Sequence, residues 1–155
     1  MNGIRALKRH DFTYDILILP DQLGYTYQFV KTFPGQRFVV DHVAKPDIKN
    51  KNIEKWANGI KALAKNENVW CKISGIITEA DWQSWVLTDF EPYLDIIFEA
   101  FGTKRLMFGS DWPVCNVAGG YQQMLSVVKN YTSKLSAIEQ ADFWGLNAID
   151  FYQLN

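Results

Sequence analysis

The sequence predicts an α/β domain built on a parallel sheet, and three observations predict it. Four short apolar runs, each the length of a buried strand, are spaced along the chain. Segments of helical period separate them. The runs are almost continuously apolar rather than alternating, as strands covered on both faces are. Strands and helices in strict alternation imply parallel pairing through right-handed crossovers.

The elements follow in order. Residues 2–9 read as a helix end, with Lys8, Arg9 and His10 where cations favour the helix dipole. The first strand is 14–19 (YDILIL), followed by a helix over 22–33. The second is 38–43 (FVVDHV), followed by a helix over 52–65 that places Ile53, Trp56, Ile60, Leu63 and Ala64 on one face. The third is 69–74 (VWCKIS). An irregular stretch leads to a helix over 90–101, where Tyr93, Leu94, Ile97, Phe98 and Phe101 recur at three and four. Thr88 and Glu91 have capping-box spacing at its start. Pro92 is tolerable in a first turn, whose amides lack intrahelical partners, and Gly102 is the expected stop. The fourth strand is 106–111 (LMFGSD). Gly119 and Gly120 open a helix over 121–131, and Ser136 with Glu139 forms a second capping box. Gly145 is expected to end that helix, and 147–154 is a last helical piece.

Composition narrows the class. The chain has 155 residues, 48% hydrophobic, with six Trp, seven Tyr and ten Phe, which suffices for one core and excludes disorder. One domain over 1–155 is expected. A net charge of −1 without a basic stripe gives no footprint for nucleic acid. No apolar run approaches the roughly 20 residues that span a bilayer. Residues 16–19, after Arg5, Lys8 and Arg9, are too short for the apolar region of a secretory signal. Cys71 and Cys115 lie far apart without metal-type spacing and read as buried free thiols. A reducing cytoplasm suits them.

Polar residues gather at the ends of the predicted strands. Asp41-His42 ends the second, with Lys45-Pro46 following. The third carries Lys72 and Ser74-Gly75, and the fourth ends in Gly109-Ser110-Asp111-Trp112-Pro113. Ligands of α/β barrels and open α/β sheets bind at the carboxyl ends of strands. An ionisable group there is costly unless paired, hydrated or working. Plainer readings exist for each. Asp111 can be a loop carboxylate bonded to its own backbone, His42 a satisfied core histidine, and Lys72 a strand-edge residue reaching solvent. A His, a Lys and an Asp ending three successive strands favour a shared site. A dinucleotide-binding fold has the same βαβ rhythm, but no G-x-G-x-x-G follows the first strand.

FVVDHVAKPDI (38–48), VWCKISGIITEADW (69–82) and RLMFGSDWPVC (105–115), in that order, resemble the metal-dependent-hydrolase-like amidohydrolases. The similarity is to the L-fuconolactonase and L-rhamnonolactonase type, related to pyrone dicarboxylate lactonase. The tail FWGLNAIDFYQL (143–154) is similar to that family's closing helices. The resemblance covers essentially the whole chain. It implies the C-terminal half of a TIM-like (β/α)8 barrel, strands five to eight. The first-strand His-x-His of many family members has no counterpart in the sequence.

The implied activity is hydrolysis of a sugar lactone by an activated water. Asp111 would accept the water's proton and return it to the leaving oxygen, and His42 would polarise the carbonyl or belong to a metal site. Lys72 would offset charge on the substrate or intermediate. Trp112 would stack on the sugar or lactone face, and Gln22 and Lys45 are candidates for hydroxyl recognition. The metal ligands stay open, with one divalent ion such as zinc as the candidate cofactor of a complete enzyme. The implied partners are the small lactone and either a second copy or a complementary N-terminal half. Two alternatives remain: a decarboxylase of the same superfamily, against which SDWP weighs because those tend to carry Tyr after the Ser-Asp, and a catalytically incomplete fragment that self-associates through its open sheet edges.

Overall fold

In the computed structural model, which describes residues 2–154, one parallel sheet runs in the order β1-β2-β3-β4. The strands are β1 (Tyr14–Ile16), β2 (Phe38–Val40), β3 (Val69–Ile73) and β4 (Leu106–Phe108). Each is shorter than its apolar run, because the last residues of the run leave the ladder. After β2 the chain turns at once into a tight 3-10 segment, Asp41–Ala44. The sequential order matters. A dinucleotide-binding sheet reverses its strand order at a switch point, whereas one-directional winding is the order of a (β/α)8 barrel. Four such strands make half of that barrel.

Seven helices accompany the sheet among the described residues: α1 (Asn2–Arg9), α2 (Leu23–Lys31), α3 (Glu54–Ala64), α4 (Glu91–Phe101), α5 (Tyr121–Thr132), α6 (Ala137–Ala141) and α7 (Asn147–Tyr152). The predicted order is borne out. Strand side chains alternate between faces, and the register pairs Asp15 with Val39, Val39 with Trp70, and Lys72 with Met107 on one of them. The opposite face carries Phe38, Val40, Cys71 and Ile73 into the main core, where Val30, Trp56, Ile60 and Ile97 cover them.

The first face is closed differently. Val39 and Met107 pack with Phe151 of α7, and Trp70 stacks on Phe151 at 5.3 Å between ring centroids. Arg37, just before β2, donates from Nη1 to the Phe151 carbonyl at 3.0 Å. The tail therefore seals this face at the strands' amino ends, opposite the ends where the polar residues gather.

Some local expectations hold. Ser136 and Glu139 cap α6 reciprocally, the Ser136 amide donating to Glu139 Oε2 at 2.9 Å and the Glu139 amide to Ser136 Oγ at 3.4 Å. Gly102 ends α4 at φ 65°, a conformation open to glycine. Two expectations fail. Thr88 and Glu91 form no box: Asp89 Oδ2 accepts from the Val86 amide at 2.9 Å, capping the 3-10 turn Leu87–Asp89, and α4 starts without a side-chain cap. Gly145 stops nothing. It lies inside a π-turn, Asp142–Leu146, that runs into α7. There Asn147 Nδ2 donates to the Thr103 and Leu106 carbonyls, each at 2.7 Å, and this tertiary clamp outweighs the local preference. Cys71 and Cys115 are buried free thiols, and burial pushes both thiols up. No helix among the described residues is long and apolar enough to cross a membrane.

Candidate active site

The site starts with an unusual piece of backbone. His42, Val43, Ala44 and Lys45 all have positive φ, between 46° and 56°, and none is glycine. Left-handed conformation costs an L-residue about 1–2 kcal/mol, so long-range contacts must hold this turn. Trp56, 1% exposed, donates its indole N–H to the Val43 carbonyl at 2.7 Å. The His42 amide donates to Ser74 Oγ at 3.3 Å, and Lys45 Nζ binds Glu79 Oε1 at 2.6 Å. Val43 and Ala44 are fully buried. The turn throws the His42 ring off the strand's own alternation.

Asp111 follows β4 by a short bend and is also left-handed, at φ 57°, a conformation Asp tolerates better than most residues. Its Oδ1 lies 3.7 Å from His42 Nε2, and the carboxylate is largely buried. On the other side of the ring, His42 Nδ1 is 2.8 Å from Ser74 Oγ. Gly75 makes the approach possible. A Cβ there would sit 3.0 Å from Asp111 Oδ2 and 3.0 Å from His42 Nδ1. Burial raises the Asp111 carboxyl pKa; His42 and Lys45 oppose the rise, while Glu79 and Asp41 add to it. A buried carboxyl held up beside an imidazole is a common setting for proton transfer.

The structure thus brings His42 and Asp111 together and draws Lys45 and Glu79 into their field. It places the remaining candidates elsewhere. Lys72 Nζ is bound by Asp15 Oδ2 at 2.5 Å and lies 2.9 Å from Asp41 Oδ1. Tyr152 donates its hydroxyl to the same Asp15 oxygen at 2.8 Å. Asp41 Oδ1 is buried and takes no aligned hydrogen bond, so the ammonium is its counter-charge. Burial alone would lower the Lys72 pKa, but the nearby Asp15, Tyr152 and Asp41 side chains leave it raised overall. Lys72 is on an interior strand, not an edge, and its charge is already met within the sheet's first face. Trp112 is 67% exposed beside Asp111. Its amide donates to Ser110 Oγ at 3.2 Å, so Ser110, not Asp111, makes the local turn bond. Gln22 Oε1 accepts from the Leu19 amide at 2.8 Å and borders a groove lined by Tyr14, Ile16, Tyr25 and Phe29 on the β1–α2 side.

Sequence reasoning assigned nothing to Asp41, Gly75, Glu79 or Tyr152. Gly75, directly after the third strand, carried a signal: a glycine at a strand's carboxyl end marks close approach. The others are brought in by contacts across distant segments.

A family model described as amidohydrolase matches residues 1–154. The chain belongs to the amidohydrolase family. It is 37% identical to an L-fucono-1,5-lactonase of Burkholderia multivorans, over 98% of this chain and 55% of that protein. A Burkholderia ambifaria L-fucono-1,5-lactonase is 36% identical, over 99% of the chain and 54% of the relative. A crystal structure of a Burkholderia multivorans amidohydrolase with bound zinc superposes with a TM-score of 0.94 at 37% identity, covering 99% of this chain and 57% of that one. This amidohydrolase chain therefore spans about half the length of the relatives it matches.

The zinc in that relative raises the question of whether this chain could hold one. A mononuclear site needs about three protein ligands. Among the described residues no group of three His, Cys, Asp or Glu side chains is placed to hold an ion. His42 and Asp111 alone do not fill such a site.

Proposed function

We propose that this chain carries the proton-transfer and carbonyl-polarising half of a sugar-lactone hydrolase, as the C-terminal half of a barrel whose other strands complete the substrate site. The observation that carries the reading is the approach of His42 Nε2 to Asp111 Oδ1, 3.7 Å, at the carboxyl ends of parallel strands. The L-fucono-1,5-lactonases at 36–37% identity support a lactone of a deoxy sugar acid as the substrate class.

The chemistry follows from the pair. Asp111, ionised, takes a proton from water as the water oxygen bonds to the lactone carbonyl carbon. His42 stabilises the carbonyl oxygen as it gains negative charge. The tetrahedral intermediate collapses with cleavage of the ring C–O bond, and Asp111 returns its proton to the leaving alkoxide. The product is an open hydroxy acid. Trp112, exposed at the same strand end, supplies a face for the sugar ring.

The test is a barrel completed by joining this chain to the preceding segment of the Burkholderia multivorans lactonase, assayed with a pH indicator against a panel of sugar lactones. Hydrolysis that disappears in Asp111→Asn is expected. A folded barrel that opens none of the lactones would defeat the reading.

A further inference from the structure

We propose that Ser74 is a positioning residue that holds His42 as the Nε2–H tautomer, so that the imidazole points a proton, not a lone pair, toward Asp111 and the lactone carbonyl. The inference rests on the reading of His42 as the carbonyl-polarising group and specifies how it does so.

Ser74 is 2% exposed, so its hydroxyl must find partners within the protein. A serine oxygen has one proton to give and two lone pairs. One lone pair is taken by the His42 amide at 3.3 Å. The other polar neighbour is His42 Nδ1 at 2.8 Å. Among the described residues the hydroxyl bonds to nothing else.

Two arrangements are then available. If Ser74 donates to Nδ1, both the hydroxyl and Nδ1 are satisfied: the hydroxyl gives one bond and takes one, and Nδ1 is an acceptor. The ring proton is then on Nε2, facing the Asp111 carboxylate. If Nδ1–H donates to Ser74 instead, the buried hydroxyl proton has no acceptor. The Nε2 lone pair then confronts a carboxylate oxygen at 3.7 Å, a repulsive contact. An unpaired buried donor and opposed lone pairs both disfavour the second arrangement.

The fold makes room for Ser74 where this requires it. A Cβ on Gly109 would come within 2.8 Å of Ser74 Cβ and 3.3 Å of its Oγ. The glycine of the fourth strand's FGSD end thus seats the serine of the third. The backbone of one residue, His42, both donates to Ser74 and carries the ring that accepts from it, which ties ring orientation to the left-handed turn.

The chain has two histidines, His10 and His42, so its imidazole nitrogen spectrum is simple. The experiment is a two-bond ¹⁵N–¹H correlation of the labelled chain with EDTA, at a pH where the rings are neutral, with His10→Gln to assign the signals. The expected pattern is a protonated-type Nε2 and an acceptor-shifted Nδ1 for His42. In Ser74→Ala the Nδ1 signal should move downfield toward that of a bare lone pair. A wild-type His42 protonated on Nδ1 would overturn the proposal, as would an Nδ1 signal unmoved in a folded Ser74→Ala chain. If that variant does not fold, the wild-type spectrum alone still decides the tautomer. Lactone turnover by an enzyme whose His42 is Nδ1–H sinks this inference alone. The Nε2–H tautomer in a completed barrel that opens no lactone sinks the functional reading instead.

Discussion

Replacing Gly75 by alanine tests whether the His42–Asp111 pair is built by the close approach of the chain between them. Gly75 has φ 61° and ψ 10°, a left-handed conformation that costs alanine about 1–2 kcal/mol. The new Cβ would also meet Asp111 Oδ2 and His42 Nδ1, each at 3.0 Å. Crowding of this kind in a packed site adds about 1–3 kcal/mol, giving a destabilisation on the order of 3 kcal/mol. Urea unfolding of the purified chain reads it. With a slope near 2 kcal/mol/M, the midpoint should fall by about 1.5 M and the slope should not change. Gly24 is the control. It lies in α2 with nothing within 4 Å of its added Cβ, and Gly24→Ala should be neutral or stabilising by up to about 1 kcal/mol. In a completed enzyme Gly75→Ala should also cost turnover, because separating reacting groups by about 1 Å costs on the order of 100-fold. A Gly75→Ala midpoint equal to that of wild type would show that the crowding is relieved at no cost, and the argument for a glycine-dependent site would fail.

Asp111→Asn should abolish lactone turnover in a completed barrel, and its stability should depend on pH in a specific direction. Burial raises the folded carboxyl pKa above its ordinary 3.8, so the wild-type group contributes most stability when protonated and loses that contribution as pH rises through the folded value. The asparagine chain should therefore be at least as stable as wild type at neutral pH, with its advantage shrinking on acidification; a growing advantage would contradict the assigned cause. Trp56→Phe removes the only side-chain donor to the buried Val43 carbonyl among the described residues, and should cost about 1–3 kcal/mol in a urea melt. It should also shift the His42 imidazole signals, which a purely peripheral packing loss would leave in place. Lys72→Met leaves Asp15 and Asp41 without their cation. Because the cluster is partly exposed, a loss of about 2 kcal/mol is expected in the same melt, and an unchanged midpoint would mean that the charges are met by solvent.

The βα order was legible because it rests on local apolar periodicity, and a strand such as Val69–Ile73 has nowhere to go but a buried sheet. The strand ends were less legible. Nothing in the types of His42, Val43, Ala44 and Lys45 announces a left-handed turn, since no glycine or asparagine marks it. It exists because Trp56 and Ser74 reach it from 13 and 32 residues away. Lys72 illustrates the same limit. Its place on the third strand was readable, but its partners Asp15 and Asp41 come from two other segments, so a residue expected to await a substrate turns out to be charge-matched within the sheet. Thr88 and Gly145 show local rules overridden, in one case by a neighbouring carboxylate and in the other by the Asn147 clamp.

The two polar clusters divide the labour of the open sheet face. Lys72, Asp15, Asp41 and Tyr152 form a layer whose charges are met by one another, and α7 closes it from the strands' amino ends. At the carboxyl ends, His42, Ser74, Gly75 and Asp111 come from the ends of three successive strands, β2 to β4. The two layers adjoin at β2 and β3: Asp41 faces Lys72 and the next residue is His42, while Ser74 follows Lys72 by two residues. Fixing Asp41 by its counter-charge therefore fixes where the left-handed turn begins. The contacts that hold His42 beside Asp111, from Ser74 and Trp56, come from this chain, and β1 and β4 are each paired on one side only among the described residues. On the proposed reading, the elements that cover those edges would govern how a lactone is enclosed above the His42–Asp111 pair.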